Sequence, residues 1–206
     1  MAEKKKYHHG DLAQALLIAA EAELIENGVE RFSLRAVAKR AGVSHGAPAH
    51  HFGDARGLLT ALAANGYERL HDMQIAYENV ADATPESQHS ASGLGYIRFA
   101  MQNPELFYIM FNSGMPDREN ERFAAISLAV FERLVRRIEK ITSKNPYNDE
   151  QSRLDLMTSW SAVHGLAELI ISGRAERVLG LSKLPEETCD DIITSILKRV
   201  TPPQRN

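Results

Sequence analysis

The chain has 206 residues, 44% hydrophobic and 25% charged, which suits one compact domain or two small ones sharing a core. Its formal net charge of −3 excludes a uniformly basic nucleic-acid coat but not a local basic face, because phosphate attraction depends on where the charges sit. No run approaches the ~18 apolar residues of a membrane span; the basic start MAEKKKYHHGDL lacks a secretory apolar stretch; and the single cysteine, Cys189, rules out an intramolecular disulfide and fits a reduced, cytoplasmic compartment.

Helical periodicity dominates from the start. Leu12, Leu16, Ala19, Ala20 and Leu24 repeat at three and four residues up to Asn27-Gly28, which predicts a helix over about 10–27 with Asp11 at its cap. Ser33 then precedes Leu34, Val37 and Ala38, a second short helix that Gly42 ends. Ser44 is the expected cap of a third short helix ending near His50. Asp54 is the expected cap of a fourth, carrying Leu58, Leu59, Leu62 and Tyr67.

The remainder also reads as helix. Thr84-Pro85-Glu86 and Asn103-Pro104-Glu105 both have a cap, a first-turn proline and an acidic first turn. Phe123, Ile126, Val130, Leu134, Ile138 and Ile141 keep helical spacing. Another long helix is expected over about 147–173, and a last one from near Pro185 through Ile192, Ile193, Ile196, Leu197 and Val200. Residues 83–92 read as a loop or a helix start, Gly93-Leu94-Gly95 as a flexible join, and 202–206 as a frayed tail. With no alternating β-branched run and no Asn-Gly hairpin, the fold class is all-α.

Within this plan, Gly42-Val43-Ser44-His45-Gly46 matches the G-x-S-x-G elbow of serine hydrolases. An elbow needs a strand entering the turn. Here the preceding residues are helical, and no triad carboxylate and histidine follow in recognisable context. A helix over 33–41, a turn at Gly42 and a helix from Ser44 explain more of the residues. Ala38 is small where two helices approach, Gly42 allows the positive φ of the turn, and Val43 plugs it from beneath. That spacing is helix-turn-helix, or an ordinary helical hairpin with no ligand.

Residues 8–62 resemble the DNA-binding domain of the tetracycline-repressor (TetR) family through “HHGDL”, “AAEAELIENGVERFSLRAVAKRAGVS” and “HHFGDARGLL”. Trp160, His164 and Gly165 in “WSAVHGLAELIISG” resemble the Trp-His-Gly signature of one C-terminal subclass. The resemblance implies a helix-turn-helix domain over 1–56 and a larger helical ligand-binding and dimerisation domain over 57–206. It implies that Ser33 and Arg35 touch the DNA backbone or a base. Ser44 would cap the recognition helix and face backbone amides or a phosphate. His45, Ala47, Pro48 and His50 would lie in or beside the major groove, with His51 near phosphate.

Two positions depart from the family pattern: Ala49 replaces a usual tyrosine and Ala55 a usual lysine, with Arg56 one residue later as a substitute. Pro48, read as one turn into its helix, is expected to disturb the first helical hydrogen bond.

Other signals carry less. Lys4-Lys5-Lys6 is either a DNA-following arm or a solvated tail. The pairs His8-His9 and His50-His51 do not make a zinc site, because adjacent helical residues diverge by about 100° and no cysteine is near. Phe99, Phe107, Tyr108, Phe111, Trp160 and His164 are candidate linings of an adaptable apolar pocket, although plain core explains most such residues. Leu156, Val163, Ala167 and Ile170 with Ile192, Ile196 and Val200 offer two apolar helix faces that could pair across a twofold axis.

The expectation is a homodimeric transcriptional regulator, not an enzyme, without cofactor or metal. It would be a repressor that leaves a double-stranded DNA operator when a small apolar effector binds. The competing expectation is a helical ligand-binding or interaction protein with weak DNA affinity, which Ala49 and Ala55 keep open.

Overall fold

The structure, a computed structural model, describes residues 9–204. Lys4-Lys5-Lys6, His8 and the last two residues of the tail lie outside that span. The described residues fold into α1 (His9–Asn27), α2 (Leu34–Ala41), α3 (Ala47–Phe52), α4 (Ala55–Val80), α5 (Pro85–Gln102), α6 (Pro104–Phe111), α7 (Glu121–Thr142), α8 (Glu150–Ile171), α9 (Glu176–Leu179) and α10 (Glu186–Lys198), with a 3-10 turn at Leu181–Lys183. No strand occurs among them, so the all-α reading holds. No described helix is long and apolar enough to cross a membrane.

Several helix starts follow from their caps. The Thr84 hydroxyl accepts from the Ser87 amide (3.3 Å), with Pro85 in the first turn of α5. Asp149 accepts from Ser152 (2.8 Å) and starts α8 at Glu150, three residues later than the spacing predicts. Asp54 accepts from Gly57 (2.8 Å) at the head of α4. Asp11 falls inside α1, not at its cap. Asn103 behaves differently from the expected cap of α6. It closes α5, where its side-chain amide donates to the Phe99 carbonyl (2.9 Å), and its Oδ1 accepts from Arg69.

Gly93-Leu94-Gly95 is not a flexible join. It lies in the middle of α5, buried on every side. A Cβ on Gly95 would come within 3.0 Å of the Gln74 Cα and 3.1 Å of the Met73 carbonyl oxygen. The glycine is there so that α5 can cross the α4 backbone closely, at the usual cost of glycine in a helix.

The chain divides into two compact units. One holds the residues up to Gly66 together with Glu105–Ala125; the other holds Tyr67–Pro104 and the residues from Ile126 onward. In the first, Leu16, Ala20 and Leu24 of α1 form a core with Val37 and Ala38 of α2 and Leu58, Leu59 and Leu62 of α4, all at most 1% exposed. In the second, α5 packs on α8 and α10. There Arg98, buried on α5, donates from Nε to Asp190 (2.6 Å) and from Nη2 to the Glu186 carbonyl (2.9 Å). A buried cation paired and hydrogen-bonded in this way anchors α10 to α5.

Candidate nucleic-acid interface

The turn between α2 and α3 is built from backbone bonds. Gly42 sits in the left-handed region (φ 68°) after Ala41. Its amide donates to the Lys39 carbonyl (3.2 Å), and the Val43 amide to that of Ala38 (3.0 Å). This paired closure is the Schellman motif, which satisfies two end carbonyls and turns the chain sharply. Val37 and Ala38 face the core, which leaves Arg35 and Lys39, one turn apart, on the solvent side of α2. Arg40 is held instead by α1, at 3.4 Å from Glu23 and in contact with Glu26. Hydrogen bonding to Glu26, against a smaller opposing effect of desolvation, raises its pKa.

Ser33 stands in extended geometry just before α2, but its hydroxyl makes no capping bond. It is half-buried beside exposed Arg35. Ser44 is not the cap of α3. Its carbonyl accepts from the Ala47 amide (3.0 Å) in a separate turn, and Gly46 precedes the helix. Ser44 also lacks the strand that a nucleophile elbow requires, because helix precedes it and helix follows.

This later start changes the reading of Pro48. It falls in the first turn of α3, where an amide has no intrahelical acceptor, so it disturbs nothing. It is also buried, so it supports α3 from within. Ser44, His45, Ala49 and His50 are exposed, Ala47 and His51 half-buried. The His50 and His51 rings meet edge to face, 5.7 Å apart.

Arg56 is exposed near the start of α4, 3.4 Å from Asp117. At the head of α4 the Gly57 amide is already taken by Asp54. The basic, outward-facing set is therefore Arg35, Lys39, His45, His50 and Arg56, with His51 half-buried beside it. Lys39 was missed in the sequence, although its four-residue step from Arg35 marks it as a neighbour on the same face.

The six pocket candidates separate. Phe99, Trp160 and His164 belong to the second unit; Phe107, Tyr108 and Phe111 belong to the first. Phe99 and Phe107 are fully buried. Phe107 packs on Phe111 with tilted rings 4.7 Å apart, whereas Tyr108 is 46% exposed. Trp160 packs on Phe131 at 5.2 Å, and His164 meets Tyr96, which the sequence reading did not single out.

Comparison with known proteins agrees with this architecture. Residues 16–62 match the family model for bacterial regulatory proteins of the tetR family, and residues 90–195 match the tetracyclin repressor-like C-terminal domain. No curated protein gives a significant match. Among solved structures, a protein with unknown function from Rhodococcus sp. RHA1 is 27% identical, covering 95% of this chain and 98% of its own, with a TM-score of 0.74.

A TetR-like transcriptional regulator from Rhodococcus sp. RHA1 (14% identity, 94% and 97% coverage, TM-score 0.64) shares the fold. So does the TetR family transcriptional regulator PfmR from Thermus thermophilus (17%, 91% and 97%, 0.61). With the C-terminal match spanning more than half of the chain and the helix-turn-helix match ahead of it, the chain belongs to the TetR family of DNA-binding transcriptional regulators.

Proposed function

We propose that the chain is a homodimeric repressor that leaves its operator when a small, largely apolar effector binds the C-terminal half. The observation that carries the DNA reading is the α2–turn–α3 unit, closed at Gly42 and presenting Arg35 and Lys39 on one exposed face. Phosphate contacts from such side chains position the protein, and base contacts from α3 and the head of α2 specify the sequence. A twofold pair presents two such units, one helical turn apart or a multiple of that, so the operator is a palindrome.

The dimer reading rests on α8. Leu156 and Ala167, expected on the pairing face, are buried within the chain, and Val163 faces Gly93 of α5. The opposite side of α8 carries Leu154, Met157 and Leu169, each about half exposed, with open space over Gly165. A stripe of this kind on a helix suits a second copy better than water. The deciding experiment is a footprint of the purified protein on the DNA flanking its own gene. A palindromic protected site supports the reading; only salt-labile binding without sequence preference favours a ligand-binding protein with weak DNA affinity.

A further inference from the structure

Glu78 near the end of α4 carries two arginines. Arg133 and Arg137, one turn apart on α7, both direct Nη2 at the same oxygen, Glu78 Oε2, Arg133 at 2.6 Å. Two cations therefore share one anion. Glu78 is 7% exposed, and the arginine side chains keep 22% and 14%. Arg98 is the contrast in the same unit: its guanidinium pairs with the carboxylates of Asp190 and Glu186 and donates to the Glu186 carbonyl.

His89 of α5, 6% exposed, feels the charge of Arg137. The neighbouring Gln88 donates to the Glu78 carbonyl (2.8 Å), which sets the start of α5 beside the end of α4. Gln74 lies one turn before Glu78 and reaches the Ser92 carbonyl through Nε2 (3.4 Å). Five buried side-chain atoms among the described residues have no hydrogen-bond partner, and all five belong to Glu78, its two arginines, Gln74 one turn before it on α4, or His89. They are the Nε of Arg133 and of Arg137, Gln74 Oε1, Glu78 Oε1 and His89 Nδ1. Buried polar atoms are normally paired, and isolated exceptions scatter. These five atoms, with one positive charge in excess on the arginines, point to a ligand that meets the spare charge and pairs with both Nε–H groups and one of the acceptors.

We propose that this group binds the head of the effector, and that the effector is a small carboxylic acid bearing a hydroxyl close to the carboxylate. The proposal rests on the ligand-responsive reading above and names the chemistry of that ligand. One carboxylate balances the spare cation, and its oxygens accept from the two Nε–H groups. The hydroxyl donates to Gln74 Oε1, Glu78 Oε1 or His89 Nδ1. Burial, with help from the Arg137 charge, lowers the His89 pKa to about 4, so its ring is neutral and able to accept. A phosphate dianion exceeds the single spare charge. A wholly apolar ligand leaves all five atoms as they are.

The test titrates the full chain with lactate, mandelate and salicylate, each beside its uncharged amide, by calorimetry and melting temperature. At least one acid is expected to bind, and its amide to bind far more weakly. Arg137→Met, or Arg133→Met, keeps Glu78 paired but removes the spare charge, and should weaken the acid by about tenfold or more.

Glu78→Gln doubles the spare charge and should tighten the acid, which a purely structural role for Glu78 does not predict. Failure of all three acids in millimolar excess, equal binding of acid and amide, or unchanged affinity in both methionine variants overturns the proposal. Operator anisotropy separates the two readings. An acid that needs the arginines but leaves operator binding intact removes the effector role and keeps the site. Operator release by an acid that ignores both arginines removes the site and keeps the regulator.

Discussion

The Tyr96 hydroxyl lies 2.8 Å from His164 Nδ1 and joins α5 to α8. Burial, with Tyr67 and Glu168 adding to it, holds the Tyr96 pKa far above its ordinary value. Burial also lowers the His164 pKa, against an opposing pull from Glu168. Both groups are therefore neutral near pH 7. Glu168, 4.0 Å from Nε2, favours the ring proton there, which leaves Nδ1 to accept from Tyr96.

The first prediction follows from that tautomer. Tyr96→Phe removes the donor and should cost about 1 kcal/mol of stability, since a typical net hydrogen bond is worth that much. Urea unfolding measures the loss, and nitrogen NMR of the ring should show an unprotonated Nδ1 in the wild type. A protonated Nδ1 there contradicts the assignment.

His89 gives a pH signature. Its folded pKa is about 4, against 6.5 as a free side chain, so between these values the unfolded chain binds the extra proton. Its contribution is complete above pH 6.5, shrinks as pH falls, and is gone below about 4. The total is about 3 kcal/mol by linkage. His89→Gln should flatten the fall in unfolding free energy across that window. An identical slope in the variant means the imidazole does not titrate there.

Gly95 shows where sequence reading stops and packing begins. The Gly42 turn, the Asp54 and Thr84 caps and the long apolar spacings of α7 were legible, because each is set by residues within one or two turns. Gly93 and Gly95 read as breaks because local propensity disfavours them in helix, and only the close crossing explains them. The start of α3 was misplaced at Ser44, although Pro48 carried the signal, since proline belongs in a first turn. The inward and outward faces of α8 are both apolar, so spacing alone does not choose between Leu156 and Leu154. The Glu78–Arg133–Arg137 group joins residues 55 positions apart, which no local pattern reports.

The third prediction tests that crossing. Gly95→Ala places a methyl 3.0 Å from backbone, where nothing can rotate away. It should cost about 1–3 kcal/mol by overpacking. Gly28 is no suitable control, because its φ of 70° strains any replacement. Thermal unfolding at wild-type temperature in Gly95→Ala contradicts the close approach.

The fourth concerns the dimer. Met157→Glu puts a charge into the outward stripe of α8 beside Leu154 and Gly165. If that stripe is buried between two copies, the uncompensated charge costs several kcal/mol, ~3 by the lower estimates for buried polar groups, and sedimentation should show monomer. Leu156→Ala is the inward control. It should lower stability by about 2–5 kcal/mol without altering association of the folded protein. A Met157→Glu protein that remains dimeric moves the interface elsewhere.

The last prediction separates the roles of three residues around the helix-turn-helix. Arg35 and Lys39 are both exposed on one side of α2, whereas Ser44 caps nothing and contributes only its carbonyl to the turn. Ser44→Ala should therefore leave stability within about 0.5 kcal/mol of wild type, below the usual loss for a true cap. Any loss of operator affinity in Ser44→Ala then reports a direct contact of the hydroxyl with DNA. Lys39→Ala should weaken all DNA sequences alike and lower the salt slope by about one unit, as expected for one released phosphate contact. Arg35→Ala should do the same if it meets phosphate. If it reads a guanine, preference at one base pair of each half-site relaxes by about 1–3 kcal/mol while the salt slope changes less. Anisotropy of a labelled operator across a salt series distinguishes these outcomes. Wild-type affinity and slope in both Arg35→Ala and Lys39→Ala would remove the exposed face of α2 from the interface, leaving His45, His50 and the head of α4 to account for DNA binding.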